Sequence, residues 1–185
     1  NLEPISCSTW ITKQLRQSQL FKHKKIHEIM LGINPDIFKP LNEKELLNIR
    51  SKYYLPSNKK IIFFGSHSIT DERKGFNYLV EALKLISKNN SIDPDSAIIV
   101  TAGNAISNNI FKNISLPHKH IGYLKGDDEL AKAYQMATVS ISPSIEDSAP
   151  MMINESIMCG TPVVSFKMGV AEDLVFNNET GYVAE

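Results

Sequence analysis

Apolar residues in this chain fall into short unbroken runs, separated by longer stretches in which they recur every three or four positions. The runs Lys60 to Gly65 (KIIFFG), Ala97 to Ala102 (AIIVTA), Thr138 to Ser142 (TVSIS) and Pro162 to Ser165 (PVVS) are too short for helices. Several are rich in β-branched residues, so they read as strands buried on both faces. Lys25 to Met30 reads as a further short strand, and His120 to Leu124 as a strand running into a loop. Helical spacing fills the intervals. Asn42 with Glu45 has capping-box spacing and opens a helix to about Tyr54, with Leu46, Leu47, Ile49 and Tyr53 as its core face. Gly75 to Ile86 is helical, and Ile106 to Ile114 reads as a short irregular helix. Asp127 caps a helix to Ala137 that turns Leu130, Ala133, Tyr134 and Met136 inward. Pro150 sits in the first turn of a helix that runs to Cys159 and stops at Gly160, ahead of Pro162. Near the N-terminus, Ser8 or Thr9 caps a helix with Trp10, Ile11 and Leu15 on one face. At least five strands alternating with helices predict an α/β protein, a Rossmann-like parallel sheet with helices on both faces.

In open sheets of this kind ligands bind beyond the carboxyl ends of the strands, beside helix N-termini. Two stretches place polar chemistry there. The acidic loop Pro143 to Pro150 carries Asp147, and Glu155 follows in the next helix with seven residues between the two. Both carboxylates can reach one bound molecule. The plainer account is that Asp147 favours a helix N-terminus and Glu155 is solvated. After Lys60 to Gly65, the polar loop leads to Arg73 and Lys74 at the start of a helix, where two cations beside free N–H groups suit a diphosphate. A solvated basic turn is the plainer account here.

The spacing of Pro143, Ser144, Asp147, Glu155, Cys159, Gly160, Thr161, Pro162, Val163 and Val164 resembles the signature of retaining glycosyltransferases of family four, which have the GT-B fold. That signature is usually written with two glutamates; Asp147 is one methylene shorter, and the competing Glu146 leaves eight intervening residues. A second hallmark is matched by Lys74, Gly75, Phe76, Leu79, Ala82 and Leu83, and a third by Gly122, Tyr123, Leu124, Leu130, Tyr134 and Ala137. Gly32 to Pro40 and Met168 to Glu172 also resemble family segments, with departures at Leu31, Asn34, Met168 and Ala171. Many members carry Arg directly after the strand-ending glycine, where this chain has Ser66; Arg73 is the candidate to take its place.

The resemblance covers about residues 25–185. It implies the C-terminal, donor-binding half of a GT-B enzyme that moves a sugar from an NDP-sugar to an acceptor hydroxyl with retention. Lys74 and Arg73 would neutralise the departing diphosphate, Glu155 would hold ribose hydroxyls and Asp147 would orient the sugar. The donor would lie against Gly65 and Ser66, against Gly122, Tyr123 and Leu124 beside the base, and against Ser148, Ala149, Pro150 and Met151. No metal or other cofactor is implied. Residues 1–24 are read as a remnant of the N-terminal acceptor domain or the interdomain hinge, or equally as an ordinary terminal helix. The acceptor, a glycan or glycolipid, would be held by that N-terminal domain. Because the chain stops short of the family's closing helix, the 185 residues alone are expected to bind donor weakly and to transfer nothing. Polysaccharide or glycoconjugate synthesis in the cytoplasm, with the full-length protein peripheral to the cytoplasmic face of a membrane, is the implied setting.

Composition narrows the remaining classes. Twenty basic and twenty acidic residues give no net charge, which disfavours a nucleic-acid binder that relies on a general basic surface. No apolar run approaches the roughly 20 residues of a membrane helix. Cys7 and Cys159 do not form a disulfide framework, and the five histidines lack metal-ligand spacing. His67, in the phosphate-side loop, is a surface histidine or a donor contact. Tyr134 reads as core rather than ligand contact. Three rivals remain: a sugar-nucleotide-binding or partner-binding module without catalysis, a nucleotide-sugar epimerase, and a dinucleotide-dependent oxidoreductase. No G-x-G-x-x-G follows any strand, which disfavours the last.

Overall fold

The computed structural model describes residues 2–68, 71–104, 111–112 and 114–184. Its centre is a six-stranded sheet in which every pairing is parallel, made of β3 (Lys60–Ser66), β4 (Ala97–Gly103), β5 (His118–His120), β6 (Val139–Ser142), β7 (Val163–Phe166) and β8 (Gly181–Ala184). The order across the sheet is β5-β4-β3-β6-β7-β8. The chain builds outward from β3 in one direction, then returns to β3 and builds the other way. That reversal between β3 and β6 is the switch point of a doubly wound fold, where the loops at the carboxyl ends diverge and leave a crevice.

Period-2 alternation along β3 and β4 supplies both faces of the sheet. Ile61 and Phe63 of β3, with Ile98 and Val100 of β4, pack on one side with Ile49 of α2 (Glu43–Lys52) and with Ala133, Tyr134 and Met136 of α4 (Gly126–Met136). Phe64 and Ile99 face the other side, against Phe76, Leu79, Val80 and Leu83 of α3 (Phe76–Lys88). Each strand is therefore apolar over most of its length, as suits a strand buried on both faces, with Thr101 as a buried polar residue of β4. A third cluster joins Ile153 of α5 (Met151–Met158) to Val163 of β7 and to Ala171 of α6 (Ala171–Leu174).

Local signals account for most helix ends. Asn42 and Glu45 form the full reciprocal capping box that opens α2, and Ser8 caps α1 (Thr9–Gln17) by accepting from the Ile11 amide. Pro150, expected inside the first turn, occupies the position just before α5 without a side-chain capping bond, and Gly160 follows the helix end with φ +79°.

Several expectations are corrected. Leu47 is exposed, because ten residues of α2 present only one stripe to the sheet and Ile49, with half-buried Leu46 and Tyr53, fills it. Asp127 is not a cap: Lys125 holds that position and donates its amide to Glu129, while Asp127 lies in the first turn. The strand expected over Lys25 to Met30 shrinks to β2 (His27–Glu28), paired in parallel with an unforeseen β1 (Ile5–Ser6). The strand expected to begin at His120 ends there instead, leaving Gly122 to Leu124 as loop. The helix expected over Ile106 to Ile114 falls largely outside the described residues.

The N-terminal segment docks through polar contacts. Thr12, not an apolar residue, is the buried side chain of α1, bonded to Ser6 and to Glu28. The Thr9 amide donates to Asp173 at 3.0 Å, Lys13 pairs with Glu172 at 2.5 Å, and Ser8 Oγ donates to the Ser148 carbonyl at 2.9 Å. Among the described residues no helix is long and apolar enough to cross a membrane.

Candidate functional site

A cavity of about 490 Å³ opens at the switch point. Gly65, Ser66 and His67 line it from the end of β3, Ala102 and Gly103 from the end of β4, and Tyr123 and Leu124 from the loop after β5. Leu130 and Tyr134 of α4 form another wall. Asp147, Ala149 and Pro150, with Met151 and Met152 at the start of α5, close the side nearest β6. Every contributing segment but one, the inward face of α4, belongs to a strand's carboxyl end or the loop and helix start that follow, where loop length can vary without disturbing the sheet.

Lys74 reaches this cavity from a 3₁₀ turn, Glu72–Lys74, capped by Asp71. The expectation that α3 starts at the two cations is adjusted accordingly: α3 begins at Phe76, one residue beyond Gly75. Gly75 has φ +66°, and a Cβ there would lie 1.7 Å from the Pro143 carbonyl oxygen. Only glycine allows this crossing. The Ile145 amide then donates to the Arg73 carbonyl at 2.9 Å, so the acidic loop is fastened to the basic turn by main chain. The result is an ion pair between elements distant in sequence: Lys74 Nζ lies 2.5 Å from Asp147 Oδ2. Asp147 Oδ1 also accepts from the Ala149 amide at 3.3 Å.

Arg73 and Lys74 part company. The Arg73 guanidinium is gripped by Asp71 through Nε at 3.1 Å and Nη2 at 2.8 Å, and it faces a second, smaller cavity. Ser148 and Glu146 line that second cavity as well, and Asp147 and Lys74 border both.

Glu155 lines neither cavity. Its Oε2 accepts from the hydroxyl of Tyr134 at 2.9 Å, and the Tyr134 ring lines the larger cavity. Burial pushes the Glu155 carboxyl above its ordinary range; the Tyr134 bond opposes that and the charge of Asp127 adds to it. Tyr134 is itself pushed well above the usual phenol range by burial and by Glu155. Below Glu155, the Cys159 thiol is driven up to about 12 by burial and by the same carboxylate, so it stays a neutral core group.

Two contributors, Tyr134 and Gly169, were not singled out as donor contacts from sequence, and His67 was left open between a surface residue and a donor contact. Tyr134 is core and cavity wall at once, and nothing in a spacing of 21 residues links it to Glu155. His67 Nδ1 lies 3.1 Å from the Tyr123 hydroxyl, and together they form an aromatic rim. Gly169, at φ +54°, presses against the acidic loop, where a Cβ would come within 2.6 Å of the Asp147 carbonyl. Gly122, expected at the base, is not part of the cavity wall, although Tyr123 and Leu124 beside it are.

The doubly wound parallel sheet with a cavity at its switch point matches the C-terminal half of GT-B glycosyltransferases, which are its structural neighbours. The chain belongs to the family Glycosyl transferases group 1, whose profile matches residues 47–185. It is 27% identical over 165 residues to an uncharacterised glycosyltransferase of Methanocaldococcus jannaschii, covering 85% of this chain and 40% of that protein. A glycosyltransferase from Rickettsia africae superposes with TM-score 0.78 at 26% identity, covering 98% of this chain and 48% of the other. Anabaena HepE in complex with UDP-glucose superposes with TM-score 0.74 at 17% identity, covering 97% and 49%. The chain thus spans about half or less of the length of these relatives.

Proposed function

We propose that this chain is the donor-binding half of a retaining glycosyltransferase that takes a sugar from an NDP-sugar and gives it to an acceptor hydroxyl, with no metal or other cofactor. The observation that carries this reading is the pairing of Lys74 with Asp147 at the border of the switch-point cavity. A lysine there meets the diphosphate, and a carboxylate beside it meets the hydroxyls of the attached sugar. When the glycosidic bond to the diphosphate breaks, negative charge grows on the leaving oxygen. A fixed ammonium in a partly desolvated cavity stabilises that charge more than it stabilises the ground state.

In this reading the nucleoside lies toward Tyr123, Leu124 and His67, whose aromatic and apolar surfaces suit a base. Glu155, which lines neither cavity while it is bonded to Tyr134, must turn toward the larger one to take the ribose hydroxyls, and Arg73 adds positive potential from the neighbouring cavity. HepE, a protein of the same fold, binds UDP-glucose, which supports a uridine nucleotide as the first donor to try. Residues 25–185 form the donor domain, and residues 1–24 are a piece of the acceptor domain or of the joint between the two. The whole protein acts in the cytoplasm, at or near the membrane face, on a glycan or glycolipid in polysaccharide or glycoconjugate synthesis.

Thermal denaturation in the presence of UDP-, GDP- and ADP-sugars tests the reading. A ligand at 100 times its dissociation constant adds about 2.7 kcal/mol of stability, so one series should raise the melting temperature of the wild type but not of Lys74→Ala. Stabilisation by none of them would refute it. The Ser66 and Asp147 departures favour a second reading, a module that binds a nucleotide-sugar without catalysis. Binding without transfer when paired with an acceptor domain would select it.

A further inference from the structure

The second cavity, about 350 Å³, lies between α1 and the acidic loop. Trp10 and Ile11 give it an apolar wall, while Arg73, Glu146 and the Lys74–Asp147 pair give it a polar one. It shares that pair with the larger cavity and so begins where the larger one ends. We propose that this second cavity binds a pyranose ring of the acceptor, with Trp10 as the stacking platform and Glu146 and Arg73 as hydroxyl partners. The proposal rests on the donor reading given above.

The chemistry of the two walls argues for a sugar. A pyranose has one face of C–H groups and a rim of hydroxyls. The first packs on an indole, and the second needs acceptors and planar donors set around its edge. Glu146 supplies the acceptor. Arg73 supplies the donors, because Asp71 occupies Nε and Nη2 and fixes the plane of the guanidinium, while Nη1 has no partner among the described residues. The side chain of Arg73 is 60% exposed, so its charge meets the cavity without a desolvation penalty already incurred.

Position argues for the acceptor rather than the donor. A diphosphate seated on Lys74 leaves its sugar at the Lys74–Asp147 wall, with the nucleoside filling the larger cavity. A hydroxyl that replaces the diphosphate needs its own route to that wall, and the second cavity supplies one. The carboxylates at the junction, Glu146 and Asp147, face the entering molecule, which disfavours an anionic acceptor group at that point and suits a neutral sugar.

Trp10 is the sole tryptophan, so its emission reports on this cavity alone. Methyl pyranosides of glucose, galactose, mannose and N-acetylglucosamine, titrated to the millimolar range with and without UDP, should include at least one that changes the emission saturably. Saturation-transfer NMR on the same glycoside should show at least tenfold weaker binding to Trp10→Ala and several-fold weaker binding to Glu146→Gln. Melting temperatures of both variants with an NDP-sugar give the control, since neither residue borders the larger cavity. If Trp10→Ala does not fold, Glu146→Gln decides alone. Should no glycoside perturb Trp10, or both variants bind as the wild type does while an NDP-sugar still stabilises the chain, the pyranose site is overturned and the donor reading stands. Should a glycoside bind through Trp10 and no NDP-sugar stabilise the chain, the donor reading fails, and with it the acceptor role of this cavity.

Discussion

Lys74 Nζ lies 2.5 Å from Asp147 Oδ2 across 73 residues of sequence, with the two side chains 34% and 18% exposed. Such a pair contributes little net stability, because desolvation offsets most of its Coulomb gain. Its consequence is for binding. A diphosphate must draw Lys74 from Asp147, and doing so leaves a carboxylate ready for a sugar hydroxyl. Lys74→Ala should therefore weaken NDP binding by about 1.5–3 kcal/mol, the range for a charge-assisted hydrogen bond. Asp147→Asn should leave NDP binding unchanged or stronger while weakening NDP-sugar binding. Calorimetry with NDP and NDP-sugar on both variants checks the ranking; equal NDP affinity in Lys74→Ala and wild type would remove the phosphate role.

Glu155→Gln should weaken ribonucleotide binding and leave inorganic pyrophosphate unaffected, since the proposed contact is to ribose. A 2′,3′-dideoxynucleotide should reproduce the loss in the wild type. Identical affinities for ribo and dideoxy forms would assign Glu155 to structure alone.

Tyr134→Phe removes the bond that holds Glu155 while keeping the ring in the core. Leaving a mostly buried carboxylate without its donor should cost about 1–3 kcal/mol of folding stability. The bond favours the charged carboxylate, so its loss should raise the Glu155 pKa further. Urea denaturation reads the first effect, and a carboxyl titration followed by NMR reads the second.

Acid should destabilise the sheet through His118. Burial, and secondarily His120, depress its pKa from 6.5 to about 4. Thr101 Oγ1 sits 2.9 Å from its Nε2 and 3.1 Å from His120 Nδ1, and Phe111 stacks on its ring at 3.7 Å. The unfolded chain takes up a proton that the folded chain refuses between those two values, so the contribution is complete above about 6.5 and is lost as pH falls toward 4. Denaturation midpoints across that window should drop more steeply for the wild type than for His118→Asn. Parallel slopes would show that other groups set the acid limit.

Gly75→Ala should be destabilising out of proportion to one methyl group. The left-handed conformation alone costs a non-glycine residue roughly 1–2 kcal/mol, and the added carbon meets the Pro143 carbonyl. The turn can escape only by moving Lys74 away from Asp147, so NDP affinity should fall together with the melting temperature. A variant with normal stability and normal NDP binding would show that the crossing is softer than its geometry implies.

Four of the six strands of the main sheet were legible from the short apolar runs at Lys60, Ala97, Thr138 and Pro162, whereas β8 was not read as a strand and β5, whose sequence is HKH, was placed too late. The two-residue strands β1 and β2 were not legible, since two residues leave no period to read. That Asp147 and Lys74 lie beside one crevice was legible because both follow strand ends at the same edge of the sheet. Arg73 borders only the smaller cavity while Lys74 borders both, because successive residues of a 3₁₀ turn point about 120° apart. Tyr134 was legible as core and not as the partner of Glu155, because that contact joins two helices whose relative rotation no local pattern encodes.

Ser8 donates to the carbonyl of Ser148, one residue beyond Asp147, while Thr9 and Lys13 of the same helix hold Asp173 and Glu172. The N-terminal half of the first helix therefore works as a clamp: its cap holds the loop that carries Asp147, and its first two turns hold α6. A shift of that clamp reaches the acidic loop through the Ser148 carbonyl, which accepts from both Ser8 Oγ and Cys7 Sγ. A loop propped in this way can be set by events outside its own domain while the sheet beneath it stays still.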